Sequence, residues 1–120
     1  MAWSFSSDRP VYLQIADRII KSILSGEYLA GEQLPTVRQL ALEAAVNPNT
    51  VQHAFAELES EGIIISKGTV GRYVTEDNQI VEVCRKKMAG QLVKNFLENM
   101  GQLSITKEQA IAMIKEEEKK

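Results

Sequence analysis

Cysteine and histidine are nearly missing from this chain: Cys84 and His53 are the only ones in 120 residues. One cysteine cannot close an internal disulfide, and one histidine finds no companions for a Cys/His metal cluster, so no metal and no cofactor is expected. Catalytic signatures are lacking too. There is no glycine-rich phosphate loop and no Gly-x-Ser-x-Gly elbow. The lone histidine is the only side chain that ordinarily titrates near neutrality, which leaves no nucleophile-and-base pair. The chain does not read as an enzyme. No apolar run approaches the ~20 residues needed to cross a bilayer, and the first residues show no basic stretch ahead of an apolar one. A cytoplasmic protein without membrane association is expected. Positive charge is not in excess either: residues 1–78 carry six basic and ten acidic side chains, the remaining 42 carry eight and six, and the chain nets −2.

What is present is an orderly series of helix signals. Composition is that of an ordinary globular protein, 44% hydrophobic and 25% charged. Arg9-Pro10 opens a first helix, with proline at the first helical position where its missing N–H costs nothing. Tyr12, Ile15, Ile19 and Ile23 then form an apolar stripe, broadened by Ala16, Ile20 and Leu24, and Gly26 stops it. Tyr28 to Pro35 reads as a connection. Thr36 with Gln39 makes a capping box for a short second helix bearing Leu40, Ala41 and Ala44. The clearest start follows: Asn47 caps, Pro48 sits at the first helical position, and Val51, Ala54, Phe55 and Leu58 recur at i, i+3, i+4 and i+7. Two helices joined by about three residues, the second sharply capped, form a helix-turn-helix.

Beyond Gly62 the period changes. Ile63-Ile64-Ile65 and Arg72-Tyr73-Val74-Thr75 flank a turn with Gly68 and Gly71, a β-hairpin that would serve as a wing. From Asn78 one long helix is predicted to a stop at Gly101, with Ile80, Cys84, Met88, Leu92, Phe96 and Met100 about four residues apart. Thr106 with Gln109 caps a last helix carrying Ile111 and Ile114, with Ile105 and Ala110 as a hydrophobic staple. About 40 residues in two helices are too few for a core of their own. They must pack on the preceding domain or on the same helices of a second subunit. The fold expected is mainly α with a small β-hairpin: a winged helix-turn-helix over 1–76 and a helical region over 77–120.

Leu34-Pro35-Thr36-Val37-Arg38-Gln39-Leu40-Ala41, then Val46-Asn47-Pro48-Asn49-Thr50-Val51 and Glu61-Gly62, resemble the GntR family of bacterial regulators, with Tyr12-Leu13-Gln14-Ile15, Gly26 and Gly31 matching its first helix and turn. The short tail is similar to that of the YtrA-like subgroup. That resemblance implies a homodimer held by the two C-terminal helices, here through Ile80, Cys84, Met88, Leu92, Phe96, Met100, Ile111 and Ile114. It also implies double-stranded DNA as partner, with Arg38 matching a DNA-contacting arginine. The recognition helix departs from the family in having Gln52 or His53 where arginine is common, and the wing glycines are shifted by a residue.

The roles follow from helix-turn-helix geometry. With Val51, Ala54, Phe55 and Leu58 inward, Asn49, Gln52 and His53 face outward, where amides pair with adenine and histidine donates to base or phosphate. Asn47 is foremost a cap, and Thr50 lies by a helix N-terminus suited to phosphate. Lys67 and Arg72, with Gly68 between them, would approach the DNA backbone or the minor groove. Three or four cations per subunit give an expected dimer salt slope of about −5 to −7. The reading is a sequence-specific repressor on a pseudo-palindromic operator. The alternatives are a winged helix used for protein interaction, favoured by its acidic balance, and gating by an unknown small-molecule effector, for which Met88, Phe96 and Met100 are the only support.

Overall fold

The computed structural model describes residues 3–117 and contains α1 (Val11–Leu24), α2 (Val37–Ala44), α3 (Pro48–Ser60), β1 (Ile64–Ser66), β2 (Arg72–Val74), α4 (Asn78–Gln102) and α5 (Lys107–Glu117). The chain divides into two compact units, Met1–Cys84 and Arg85–Lys120.

In the first unit the apolar stripes meet as their spacing requires. Ile15, Ile19, Ile20 and Ile23 of α1, Leu40, Ala41 and Ala44 of α2, and Val51, Ala54, Phe55 and Leu58 of α3 are buried together, joined by Ile63, Ile64 and Val74 from the hairpin. Phe55 and Leu58 are almost wholly inaccessible, and each such side chain contributes about 2–3 kcal/mol by leaving water. Pro10 is the N-cap of α1, so the helix starts at Val11, one residue later than expected, and the Pro10 carbonyl accepts from the Leu13 and Gln14 N–H groups. The Thr36–Gln39 capping box forms with both of its reciprocal bonds, satisfying two otherwise orphaned donors.

The helix-turn-helix corner is tight. Ala45, at φ 59°, caps α2 in the left-handed region, a conformation that crowds Cβ against the carbonyl. Asn47 restarts the chain, its side chain accepting from the Asn49 N–H at 2.8 Å, with Pro48 as the first residue of α3.

The wing pairs Ile64 with Val74, Ile65 with Tyr73 and Ser66 with Arg72, antiparallel. The stretch from Gly31 to Leu34 is more than a connection. It lies along the free side of β2, with bonds from Gly31 N–H to Val74 O, Val74 N–H to Glu32 O and Leu34 N–H to Arg72 O, and a bridge between Gln33 and Tyr73. A β2 edge left open would expose unpaired donors and acceptors; this stretch closes it. At the N-terminus Trp3 packs beside Phe5 and beneath the Arg18 guanidinium, 4.1 Å from the ring centroid.

α4 begins inside the first unit. Ile80 is half-buried, one of its methyls lying against Gly62, and Cys84 is buried. These two residues therefore already have neighbours within one chain, whereas Leu92 and Phe96 of the same stripe are exposed. The helix runs through Gly101 to Gln102, and the chain reverses at Ser104, at φ 61°, rather than stopping at the glycine.

In the second unit α5 starts at the Thr106–Gln109 capping box, and Ala110 is fully buried with Ile105 half-buried. Leu92, Phe96, Ile111 and Ile114 stay exposed, and Met88 and Met100 are half-buried. Among the described residues no helix is long and apolar enough to cross a membrane.

Candidate nucleic-acid interface

The exposed side of α3, the start of α2 and the wing enclose a cleft of about 280 Å³. Arg38, Gln52 and Arg72 are all on its wall, with Thr69 and Val70 of the wing turn. Arg38 is exposed on the first turn of α2. Asn49 is exposed and Thr50 half-exposed at the start of α3, where the Thr50 N–H donates to Asn47 O at 2.9 Å. This corner thus presents short polar side chains beside the positive end of a helix.

Arg72 is engaged differently from the sequence expectation. Its Nε donates to Glu59 Oε1 at 3.0 Å and its Nη2 to Gln52 Oε1 at 3.2 Å, while the guanidinium lies over Phe55, 5.2 Å from the ring centroid. All three partners belong to α3. The charge of Arg72 is thus balanced locally by Glu59. Lys67 remains exposed, its ammonium 4.4 Å from the centroid of Tyr73, so its charge sits at the hairpin rim.

The wing turn is held from behind. Gln33 Nε2 donates to Val70 O at 2.9 Å. Gly71 adopts φ +133°, which calls for glycine, and a Cβ there would stand 2.7 Å from Gln33 Nε2 and push that side chain off its bond to Val70. Gly68, at φ +60°, has open space around it.

His53 is set apart from this cleft. Its ring stacks on Tyr12 of α1, with centroids 3.5 Å apart and planes 6° from parallel, although the residue stays exposed. One ring face is therefore committed to the α1–α3 seam.

Gln33, Glu59 and Thr69 were not singled out as site residues from the sequence, and Tyr12 only as part of the α1 stripe. Glu59 was findable, because it follows Gln52 by seven residues and so shares its helix face. Gln33 and Tyr12 act through contacts between distant segments.

The arrangement is that of known regulators. Residues 11–74 match the model for bacterial regulatory proteins of the gntR family. The chain belongs to the GntR family. Across 111 residues this GntR protein is 37% identical to the HTH-type transcriptional regulator YhcF of Bacillus subtilis, covering 92% of each chain. Over 71 residues it is 42% identical to the HTH-type transcriptional repressor YtrA of the same organism, covering 59% of this chain and 55% of YtrA.

Among solved structures, a GntR family transcriptional regulator from Listeria monocytogenes superimposes with a TM-score of 0.84 at 42% identity, covering 93% of this chain and 98% of that one. AraR(DBD) in complex with operator ORX1 matches with a TM-score of 0.56 at 26% identity, covering 62% and 92%. This GntR chain is thus a transcriptional regulator of YtrA-like type with a winged helix-turn-helix DNA-binding domain, and not an enzyme.

Proposed function

We propose that the protein binds a pseudo-palindromic operator as a homodimer and represses transcription by occupying the promoter. The observation that carries this reading is the convergence of Arg38, Gln52 and the wing turn on one cleft along the exposed side of α3. In a helix-turn-helix this side enters the major groove and the first helix crosses the backbone. Asn49 and Gln52 then meet base edges, and Asn47 and Thr50 with the α3 N-terminus meet phosphate. Arg38 and Lys67 supply the charge, and Gly68 lets the wing backbone come close. His53 serves at the edge of this surface, steadied by Tyr12. With Arg72 paired, two cations per subunit give a salt slope of about −4, shallower than the composition suggested.

The dimer is supported by the apolar side chains left in water on α4 and α5, Leu92, Phe96, Ile111 and Ile114 among them. Two subunits would set half-sites about 10 bp apart or slightly more. Repression is the simplest outcome of promoter occupancy, and the relative YtrA bears the name of a repressor.

The deciding experiment is fluorescence anisotropy of the full-length protein on its own upstream intergenic DNA and on a scrambled duplex, across a salt series. Tight, salt-sensitive binding that prefers the native DNA and loses strength in Arg38→Ala is expected. Equal weak binding to both, indifferent to Arg38→Ala, would overturn the proposal and favour a protein-interaction role.

A further inference from the structure

We propose that Arg72 is a specificity-determining residue that acts through Gln52, the wing deciding which way the recognition-helix amide reads the DNA. The inference rests on the operator-binding reading and sharpens it.

A guanidinium only donates hydrogen bonds, so the Gln52 group that meets Arg72 Nη2 at 3.2 Å must be the amide oxygen. Arg72 is itself fixed. Its Nε is held by Glu59 at 3.0 Å, its guanidinium lies over Phe55, and its backbone carbonyl accepts from the Leu34 N–H at 2.8 Å. Nε and Nη2 share one edge of the guanidinium, so that edge spans two side chains that stand two helical turns apart on α3.

A free glutamine amide turns over at little cost and pairs bidentately with adenine, accepting from N6 and donating to N7. Turning over Gln52 would set its NH2 against a cation. The amide is therefore locked with NH2 as its free end. The cation also draws electron density from the oxygen, which makes the NH2 a better donor and the oxygen a poorer acceptor. Such a group suits an edge that only accepts, and guanine offers N7 and O6. Gln52 reads guanine at one base pair of each half-site, and it does so because of Arg72.

The test uses the full-length protein and an operator selected from random duplex DNA, with each position then replaced by every base. Wild type is expected to prefer guanine at one pair per half-site, with about a tenfold loss on adenine there. Arg72→Met brings that ratio to within about twofold, leaving preferences elsewhere and the salt slope unchanged, since Arg72 meets no phosphate, while the Glu59 carboxylate left unpaired weakens binding to every sequence alike. Gln52→Ala flattens the same pair, and combining the two adds nothing further. Arg72→Lys, which keeps the charge beside Glu59 but cannot span both partners, flattens it as well and serves if the methionine variant fails to fold.

Uniform weakening by Arg72→Met on all sequences with a shallower salt slope, adenine preferred by wild type, or independent effects of the two substitutions would each overturn the assignment. A wild type without any sequence preference overturns the operator reading and this inference together. A selective wild type whose guanine preference survives in both Arg72 variants overturns only the inference.

Discussion

The two units of the chain treat apolar side chains in opposite ways. Up to Cys84 they build a core, in which Ile15, Val51, Leu58 and Ile63 have no accessible surface, although Leu29 and Leu42 stay outside it. From Arg85 on, Ala110 is the sole buried residue among those described, while Leu92 is 60% exposed, Leu103 71% and Met113 54%. Both stretches are helical and comparably capped, so local propensity does not separate them. Geometry does. Three helices and a hairpin can enclose a core, whereas two helices have no third element to close over their apolar faces. Apolar side chains left in water over such a stretch point to a partner, and a second copy fits the two-fold operator proposed.

That contrast can be broken most forcefully at Phe55 and Phe96, one in each unit. Phe55→Ala should cost about 3–5 kcal/mol, since it leaves a cavity in a closed core. Phe96→Ala should change the denaturation midpoint of dilute protein very little. Urea unfolding at low concentration reads both, and an equal loss would mean that the tail has a core of its own. Next in size, Leu92→Glu combined with Ile111→Glu should yield monomers by sedimentation velocity and lower operator affinity by about 100-fold, as the second half-site ceases to act at high effective concentration. Unchanged mass would locate the dimer contact elsewhere.

Smaller effects sharpen the account of the first unit. Arg38→Ala should weaken binding by about tenfold on every sequence and reduce the dimer salt slope by about two, one phosphate per subunit. A change confined to one base pair would make Arg38 a reader instead. Ala45→Gly should stabilise by about 1 kcal/mol, because glycine adopts φ 59° without the Cβ crowding that alanine suffers. Thermal unfolding should show this as a rise of about 4–8 °C in Tm; no rise would indicate that the corner is relaxed with alanine in place.

Much of this molecule was legible in its residues, for a reason particular to helices. The Thr36–Gln39 box, the Asn47-Pro48 start and the Val51 to Leu58 stripe are determined within one or two turns of chain, so adjacent residue types suffice to announce them. The hairpin was visible as a change of period after Gly62. The stretch from Gly31 to Leu34 was not, since pairing with β2 satisfies backbone groups and leaves little trace in side-chain alternation.

The interface divides along the same line. Sequence alone put Asn49 and Gln52 on the outward side of α3, because helical spacing assigns faces once the core residues are known. It also placed Arg38 at the head of α2 and a wing after α3. Only the tertiary structure decided that Arg72 grips Glu59 and Gln52, thirteen and twenty residues away, and that Tyr12 stacks on His53. Those contacts join side chains brought near by helix packing and hairpin register, and no local pattern records which of several exposed polar groups a long, flexible arginine will reach.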